Sequence, residues 1–301
     1  MNRVVTHKFL REDQRHLFPS DINSWLFKNR QMAKPFGDLI GYSFLDAMIR
    51  KSITQLKKKN PNLIIGETHC HSDHSDGLHP VKSILKRAAC LGLDYVVITD
   101  HHLPGKYMTQ SIISSLQNQT QCINEWDIPN NPIKIYPAFE VSALEGHLIV
   151  ILDPEYFSHK NLSDISLQFL KFDYKFSSML DWIPLLAPFG GISIVAHPNE
   201  KRSYPFGASI SWVKENLTGL VDGIEDISAG HGYQENYSND LDLASIGSSD
   251  DHFNLLMGTV VTAYDGNIYD SLIAAVKSKK TQAISINNSL QPLFKLARKI
   301  F

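Results

Sequence analysis

His69, His71, Asp73, His74 and Asp76 crowd eight consecutive positions in the segment Gly66-Glu67-Thr68-His69-Cys70-His71-Ser72-Asp73-His74-Ser75-Asp76-Gly77. His69 and His71 stand two apart, a short way beyond the apolar run Leu63-Ile64-Ile65. In a strand, residues i and i+2 point to one face, so these two imidazoles can sit side by side at a strand end and chelate one metal ion. Cys70 alternates away from them and reads as a core residue. A metal centre needs further donors, and later segments offer Asp100, His101 and His102, then Glu140, His147, His197, Glu225 and Asp226, and Asp250 with His252. Nine of the 13 histidines lie in or beside these segments. Each alone is more often structural than a ligand; together they point to a metal centre. Imidazoles mixed with carboxylates suit zinc, manganese or iron better than thiolate ligation does.

The elements that must position these groups are short, apolar, β-branched runs at 63–66, 95–99, 133–139, 147–152, 192–196, 223–227 and 243–247. Residues 81–91, 180–187 and 268–277 read as helices between or after them. Apolar strands separated by helices predict a parallel sheet covered on both faces. Seven of them predict an α/β barrel, and the polar groups fall at strand ends, where barrel enzymes gather their active sites. Residues 1–60 differ: they are polar, and 42–59 reads as an amphipathic helix with Phe44, Leu45, Met48, Ile49, Ile53 and Leu56 along one side. Lys57, Lys58 and Lys59 suit its C-terminal end. We expect it to pack on the main unit, 61–301; a contact between copies of the chain or a peripheral membrane contact is the alternative.

The 301 residues suffice for one large barrel or two smaller domains. A net charge of −2 gives no electrostatic reason to expect broad nucleic-acid or membrane binding, and no dedicated nucleic-acid-binding domain is expected. Three cysteines, an odd number with no CxxC pair, fit a reducing compartment and a cytoplasmic location. The N-terminal residues carry scattered charges and no apolar core of a signal peptide, and no run approaches the length of a membrane span.

Taken in order, His-x-His, Ser-Asp-Gly, Thr-Asp-His, Glu, Ala-His-Pro and Ser-Asp-x-His resemble the PHP family, named after polymerase and histidinol phosphatase. The resemblance covers roughly residues 63 to 285. It implies a distorted (β/α)7 TIM-like barrel, here with an N-terminal helical extension, and two or three divalent metal ions. Carried over by motif, His69, His71 and Asp250 would bind the first metal. Glu140 would bridge to a second held by His147 and His197, and Asp76, His101 and His252 would hold a third. His74 competes with Asp76. His102 stands where the family often has Asp or Asn and is kept as a substrate contact. Asp100 either orients an imidazole or caps a turn; Glu225 either touches the ligand shell or forms a buried ion pair.

The chemistry implied is metal-dependent hydrolysis, in which a metal-activated water attacks a phosphoester. His197 and Asp250 are the nearest candidates to protonate the leaving oxygen, although both are also ligands. Lys201 and Arg202 would meet the charge of a phosphate. Lys106 is a weaker candidate, and Tyr204 and Phe206 could wall a ring. The expected partner is a small phosphorylated molecule or nucleotide. The Glu-x6-His spacing from Glu140 to His147 and the Gly-Glu-Thr-His opening resemble a branch with ester- and carbamate-cleaving members, so a carboxyl-ester, amide or carbamate substrate is the alternative. A non-catalytic metal-binding module is the third reading. No Walker A motif, dinucleotide glycine fingerprint, HExxH or G-x-S-x-G elbow is present.

Overall fold

Alternation along the strands explains how the layers form. The computed structural model describes residues 44–102, 106–125, 133–155, 178–186, 189–198 and 207–286. In chain order these give α1 (Phe44–Lys59), β1 (Leu63–Cys70), α2 (Val81–Leu91), β2 (Tyr95–Ile98), β3 (His101–His102), α3 (Lys106–Glu125), β4 (Lys134–Ser142) and β5 (His147–Ile151). There follow α4 (Met179–Leu186), β6 (Ile192–Val195), α5 (Ile210–Asn216), β7 (Gly223–Ser228), β8 (Tyr233–Gln234), α6 (Tyr237–Leu241), β9 (Ala244–Ser248), β10 (Val260–Asp265), α7 (Leu272–Lys277) and β11 (Gln282–Ser285). Among the described residues, no helix is long and apolar enough to cross a membrane.

The strands pair in the order β11-β10-β1-β2-β4-β5-β6-β7-β8, with β3 beside β4 and β9 beside β7. The sheet is mixed and curled, with helices packed on it. A parallel bridge between Cys70 and Asp251 sets the end of β1 against the segment that follows β9. The expectation of an all-parallel sheet is corrected: β5 runs antiparallel to both β4 and β6. The cause is loop length. Only residues 143–146 join β4 to β5, closed by Ala143 N–H donating to Gly146 O at 2.9 Å, whereas a parallel crossover needs about a dozen residues. Two further antiparallel strands, β10 and β11, extend the sheet beyond β1.

Residues of one parity, Tyr95 and Val97, Tyr136 and Ala138, Ile149 and Ile151, Ile192 and Ile194, share a core with α7. The other parity, Phe139, Val141, Leu148, Val150 and Val195, packs against residues of α3, α4 and α5. Strand β1 changes phase along its length. Its register with β2 is irregular between Glu67 and Cys70, and Ile65 and Cys70, five apart, face the same cluster with α1 and α2. That irregularity, of the kind that re-aims side chains beside active sites, turns His69 and His71 to the opposite face. Cys70 is buried, as expected.

Helix α1 packs on the main unit through Ile49 and Ile53, with Leu45, Met48 and Leu56 beside them, while Phe44 stays 73% exposed. Lys57 closes its end by donating to Gly92 O and Asp94 Oδ1. The rest of the N-terminal extension lies outside the described residues.

Gly66 is needed for close approach. A methyl at its Cβ position would enter the Tyr95 ring, which is pinned by its hydroxyl donating to Thr262 O at 2.7 Å. Gly66→Ala is therefore expected to destabilise the fold by at least ~1–3 kcal/mol, the usual cost of overpacking. Thermal denaturation measures this; an unchanged melting temperature would show that Tyr95 can yield.

Candidate metal centre

Glu140 extends the row Tyr136, Ala138 on β4, and His147 opens the row Ile149, Ile151 on β5, so the polar cluster caps the core shared with α7. From β1, His69 sends its two ring nitrogens in different directions. Nδ1 lies 2.8 Å from Glu225 Oε1. Nε2 lies 3.1 Å from His71 Nε2, 3.3 Å from Glu140 Oε2 and 3.2 Å from Asp250 Oδ1. His71 Nε2 is 3.1 Å from the same Asp250 oxygen and 3.5 Å from the same Glu140 oxygen.

His69, His71 and Asp250 form a group that could hold a divalent ion, with Glu140 Oε2 beside the two rings. Donors placed tetrahedrally at zinc-like distances of ~2.0–2.2 Å lie ~3.3–3.6 Å from one another, close to the 3.1 and 3.2 Å separations within that group. The donor chemistry agrees. If His69 Nδ1–H donates to Glu225, a neutral His69 presents a lone pair at Nε2, facing carboxylate oxygens and another imidazole. Such a set attracts positive charge, a metal ion or a proton on the ring. His71 Nδ1 and His197 Nδ1 are also buried without a hydrogen-bond partner. Burial pulls the His69 pKa down, but Asp250, Glu140 and Glu225 together hold it well above the ordinary value.

Glu140, fully buried, is the hub. Its Oε1 lies 2.9 Å from His147 Nδ1 and 3.1 Å from His197 Nε2, and its Oε2 lies 3.0 Å from His101 Nδ1. The parallel register that pairs His101 with Glu140 and the hairpin that pairs Ser142 with His147 bring these groups together. Burial opposes its charge, yet His147, His69 and His101 hold its pKa well below the usual carboxylate range. Burial and the neighbouring His197 and His101 lower His147 to about 4, outweighing its contact with Glu140.

A third group forms around Asp76. Its Oδ2 lies 3.5 Å from His101 Nε2 and 3.3 Å from His252 Nε2. Against the pull of burial, Asp76 raises His101 to about 9, with help from Glu140, and His252 to about 10, with help from Asp250. The His71 ring stacks on His252 and His101, centroids 4.1 and 4.5 Å apart. All nine expected ligands, His69, His71, Asp76, His101, Glu140, His147, His197, Asp250 and His252, thus fall in connected clusters. His74 belongs to none of the clusters among the described residues.

Two of these residues sit on unusual backbone. Asp250 has φ 47° and His197 φ 26°, left-handed conformations that cost non-glycine residues ~1–3 kcal/mol and recur at functional sites. Glu225 supports both neighbourhoods. It faces His69 Nδ1, accepts from His197 N–H at 2.7 Å and accepts from the Ser248 hydroxyl at 2.5 Å. Replacing Glu225 with Gln is expected to weaken divalent-metal retention ~10–100-fold, the usual cost of losing an outer partner of a ligand. Competition with a chelator measures it, and wild-type retention would show that Glu225 is structural.

Asp100 holds a loop, not a ring. It accepts from the Ser72 N–H (2.7 Å) and hydroxyl (2.6 Å), from Ser75 (2.8 Å) and from Ser115, which fixes the turn between His71 and Asp76. His102, expected as a substrate contact, follows His101 on β3 and so faces the other side of the strand, and its buried ring packs edge-on against Trp182 at 5.0 Å. Asp226 binds Ser238 and Ser245, away from the cluster. Lys201, Arg202, Tyr204 and Phe206, and the side chain of Lys106, lie outside the described residues.

The sequence reading missed His231. It lies three residues beyond the end of β7, in Gly230-His231-Gly232, with Nε2 2.7 Å from Asp250 Oδ2. Like the other donors it is a polar group just past a strand end, but Glu225 and Asp226 inside the same strand are the more conspicuous signal.

No protein-family model and no curated protein matches the sequence. Among solved structures, the chain is similar to PsfC from Pseudomonas syringae PB-5123, with a TM-score of 0.53 and 17% identity over 79% of this chain and 97% of that one. It is also similar to a two-domain protein from Bacteroides vulgatus containing a predicted PHP-like metal-dependent phosphoesterase, with a TM-score of 0.48 and 18% identity. That match spans 74% of this chain and 64% of the other. An amidohydrolase from Chromobacterium violaceum matches with a TM-score of 0.42 and 14% identity over 74% of this chain and 98% of that one. The chain shares its fold with PsfC, and the solved structures similar to it include one described as PHP-like.

Proposed function

We propose that the chain is a metal-dependent hydrolase and, more narrowly, a phosphoesterase. Glu140 carries the proposal: one buried carboxylate has its two oxygens facing two sets of imidazoles, as a bridge between neighbouring divalent ions would. His69, His71 and Asp250 would hold one ion with Glu140, His147 and His197 a second, and Asp76, His101 and His252 a third. When bound, such ions supply an activated water and neutralise charge on the substrate oxygens.

The chain's own part is positional. Glu225 orients His69, Asp100 fixes the turn carrying Asp76, and full burial of His69 and Glu140 keeps bulk water from the donors. Asp250 has both oxygens engaged, and His197, the other candidate for handling the leaving-group proton, would be committed to the second ion through the Nε2 that faces Glu140. Lys201 and Arg202, which follow His197-Pro198 in sequence, would meet the phosphate. The curled sheet with donors at its strand ends supports a distorted (β/α)7 barrel over 61–301, with 1–60 as an extension. A small phosphorylated molecule in the cytoplasm completes the proposal.

The chain loaded with Mn(II) or Zn(II) should hydrolyse p-nitrophenyl phosphate faster than p-nitrophenyl acetate. Preference for the acetate would move the assignment to carboxyl-ester, amide or carbamate cleavage on the same centre. Tight metal retention with no turnover of either ester or of a wider phosphoester panel would indicate a binding module.

A further inference from the structure

We propose that His231 is a positioning residue for Asp250, fixing which carboxylate oxygen faces the metal centre; the inference rests on Asp250 being a ligand. The two oxygens of Asp250 have different neighbours. Oδ1 lies 3.1 and 3.2 Å from the Nε2 atoms of His71 and His69, while Oδ2 lies 2.7 Å from His231 Nε2. A carboxylate free to swivel could present either oxygen, or both. A ring N–H on Oδ2 removes that freedom and leaves Oδ1 toward the cluster, the task of an outer partner of a ligand.

The surrounding backbone is built to bring this histidine in. Ala229 N–H donates to Ser248 O at 3.0 Å and Gly230 N–H to Ser249 O at 2.8 Å, which lays the 229–232 turn along the residues leading into Asp250. Gly230 makes the approach feasible, because a Cβ there would lie 2.9 Å from Asp250 O and 3.0 Å from Ser249 O. The His231 ring is stacked on His197, centroids 4.3 Å apart and planes 30° apart. It therefore bridges two residues proposed as ligands to different ions. Asp250, with its left-handed backbone, needs its surroundings to hold it in place.

The test measures Zn(II) affinity by chelator competition, and metal content by elemental analysis, for wild type, H231A, H231Q, G230A and D250A. Metal-free thermal melting runs alongside. H231A is expected to bind ~10–100-fold more weakly, with metal-free melting close to wild type. H231Q, whose amide N–H can reach the same oxygen, should recover most of that loss, and G230A, which pushes the turn off Asp250, should resemble H231A. Wild-type affinity in H231A while D250A loses metal would overturn the proposal. So would equal weakness of H231A and H231Q, which would assign the effect to ring packing on His197 or to His231 as a ligand in its own right. If wild type holds no metal, or D250A binds as wild type does, the reading of Asp250 as a ligand fails, and the proposal with it.

Discussion

Glu140→Gln is expected to strip the chain of retained divalent metal and to cut hydrolysis by at least ~10²–10³-fold, the scale for losing one preorganised electrostatic group. Five imidazole nitrogens surround this carboxylate: His147 Nδ1 at 2.9 Å, His101 Nδ1 at 3.0 Å, His197 Nε2 at 3.1 Å, His69 Nε2 at 3.3 Å and His71 Nε2 at 3.5 Å. An amide of the same shape carries no charge and offers one acceptor where the carboxylate offers two. It also turns a donor toward ring nitrogens that need lone pairs free. Volume is conserved, so folding should survive and the loss should be one of chemistry. Metal retention and turnover within twofold of wild type would show that Glu140 is not a bridge.

The second large effect is on stability. Arg87→Met is expected to destabilise the fold by ~3–5 kcal/mol, the cost of stranding a buried charge partner. Arg87 is 4% exposed and donates to Asp46 Oδ1 in α1 at 2.7 Å, to Leu255 O at 3.0 Å and to Asn254 O, with Asp251 Oδ2 3.6 Å away. Asp251 in turn accepts from Phe253, Leu256 and Met257 N–H groups, and its carbonyl accepts from His71 N–H. One guanidinium thus ties α1 and α2 to the loop that carries Asp250 and His252. Urea denaturation of Arg87→Met should show the loss, and Asp46→Asn a smaller one, because the Asp46 side chain retains 18% exposure. A variant as stable as wild type would mean that the loop is held by its own backbone bonds.

The strand-end donors were legible because a polar cluster after a β-branched run has few structural explanations. Strand direction was not: the runs at 133–139 and 147–152 read alike, and only the short 143–146 connection distinguishes a hairpin from a crossover. Helix α3 carries only a short apolar stripe, with Ile112 and Leu116 one turn apart. It meets the sheet partly through polar groups, with Gln119 bonded to Ile98 O and to the Ala138 backbone, and Ser115 bonded to Asp100. Each such bond is invisible until the partners are placed in space.

The site shows the same division. The donor cluster follows from residue type and spacing, but the hydrogen-bond partners of those donors do not. Asp100 adjoins His101 in sequence yet serves the serines of the loop after β1, while Glu225, 156 positions from His69, holds its ring. His102 follows a donor directly and lies on the other face because strands alternate. His231 stands in a glycine-rich turn whose close approach to Asp250 depends on the missing side chain at 230.

Elemental analysis of the purified chain, loaded with Zn(II) or Mn(II) and freed of excess metal, tests the central claim most directly. About two to three tightly held divalent ions are expected per wild-type chain, and a substoichiometric amount in Glu140→Gln. A wild-type chain that retains none, or a Glu140→Gln chain that retains the full complement, would contradict it.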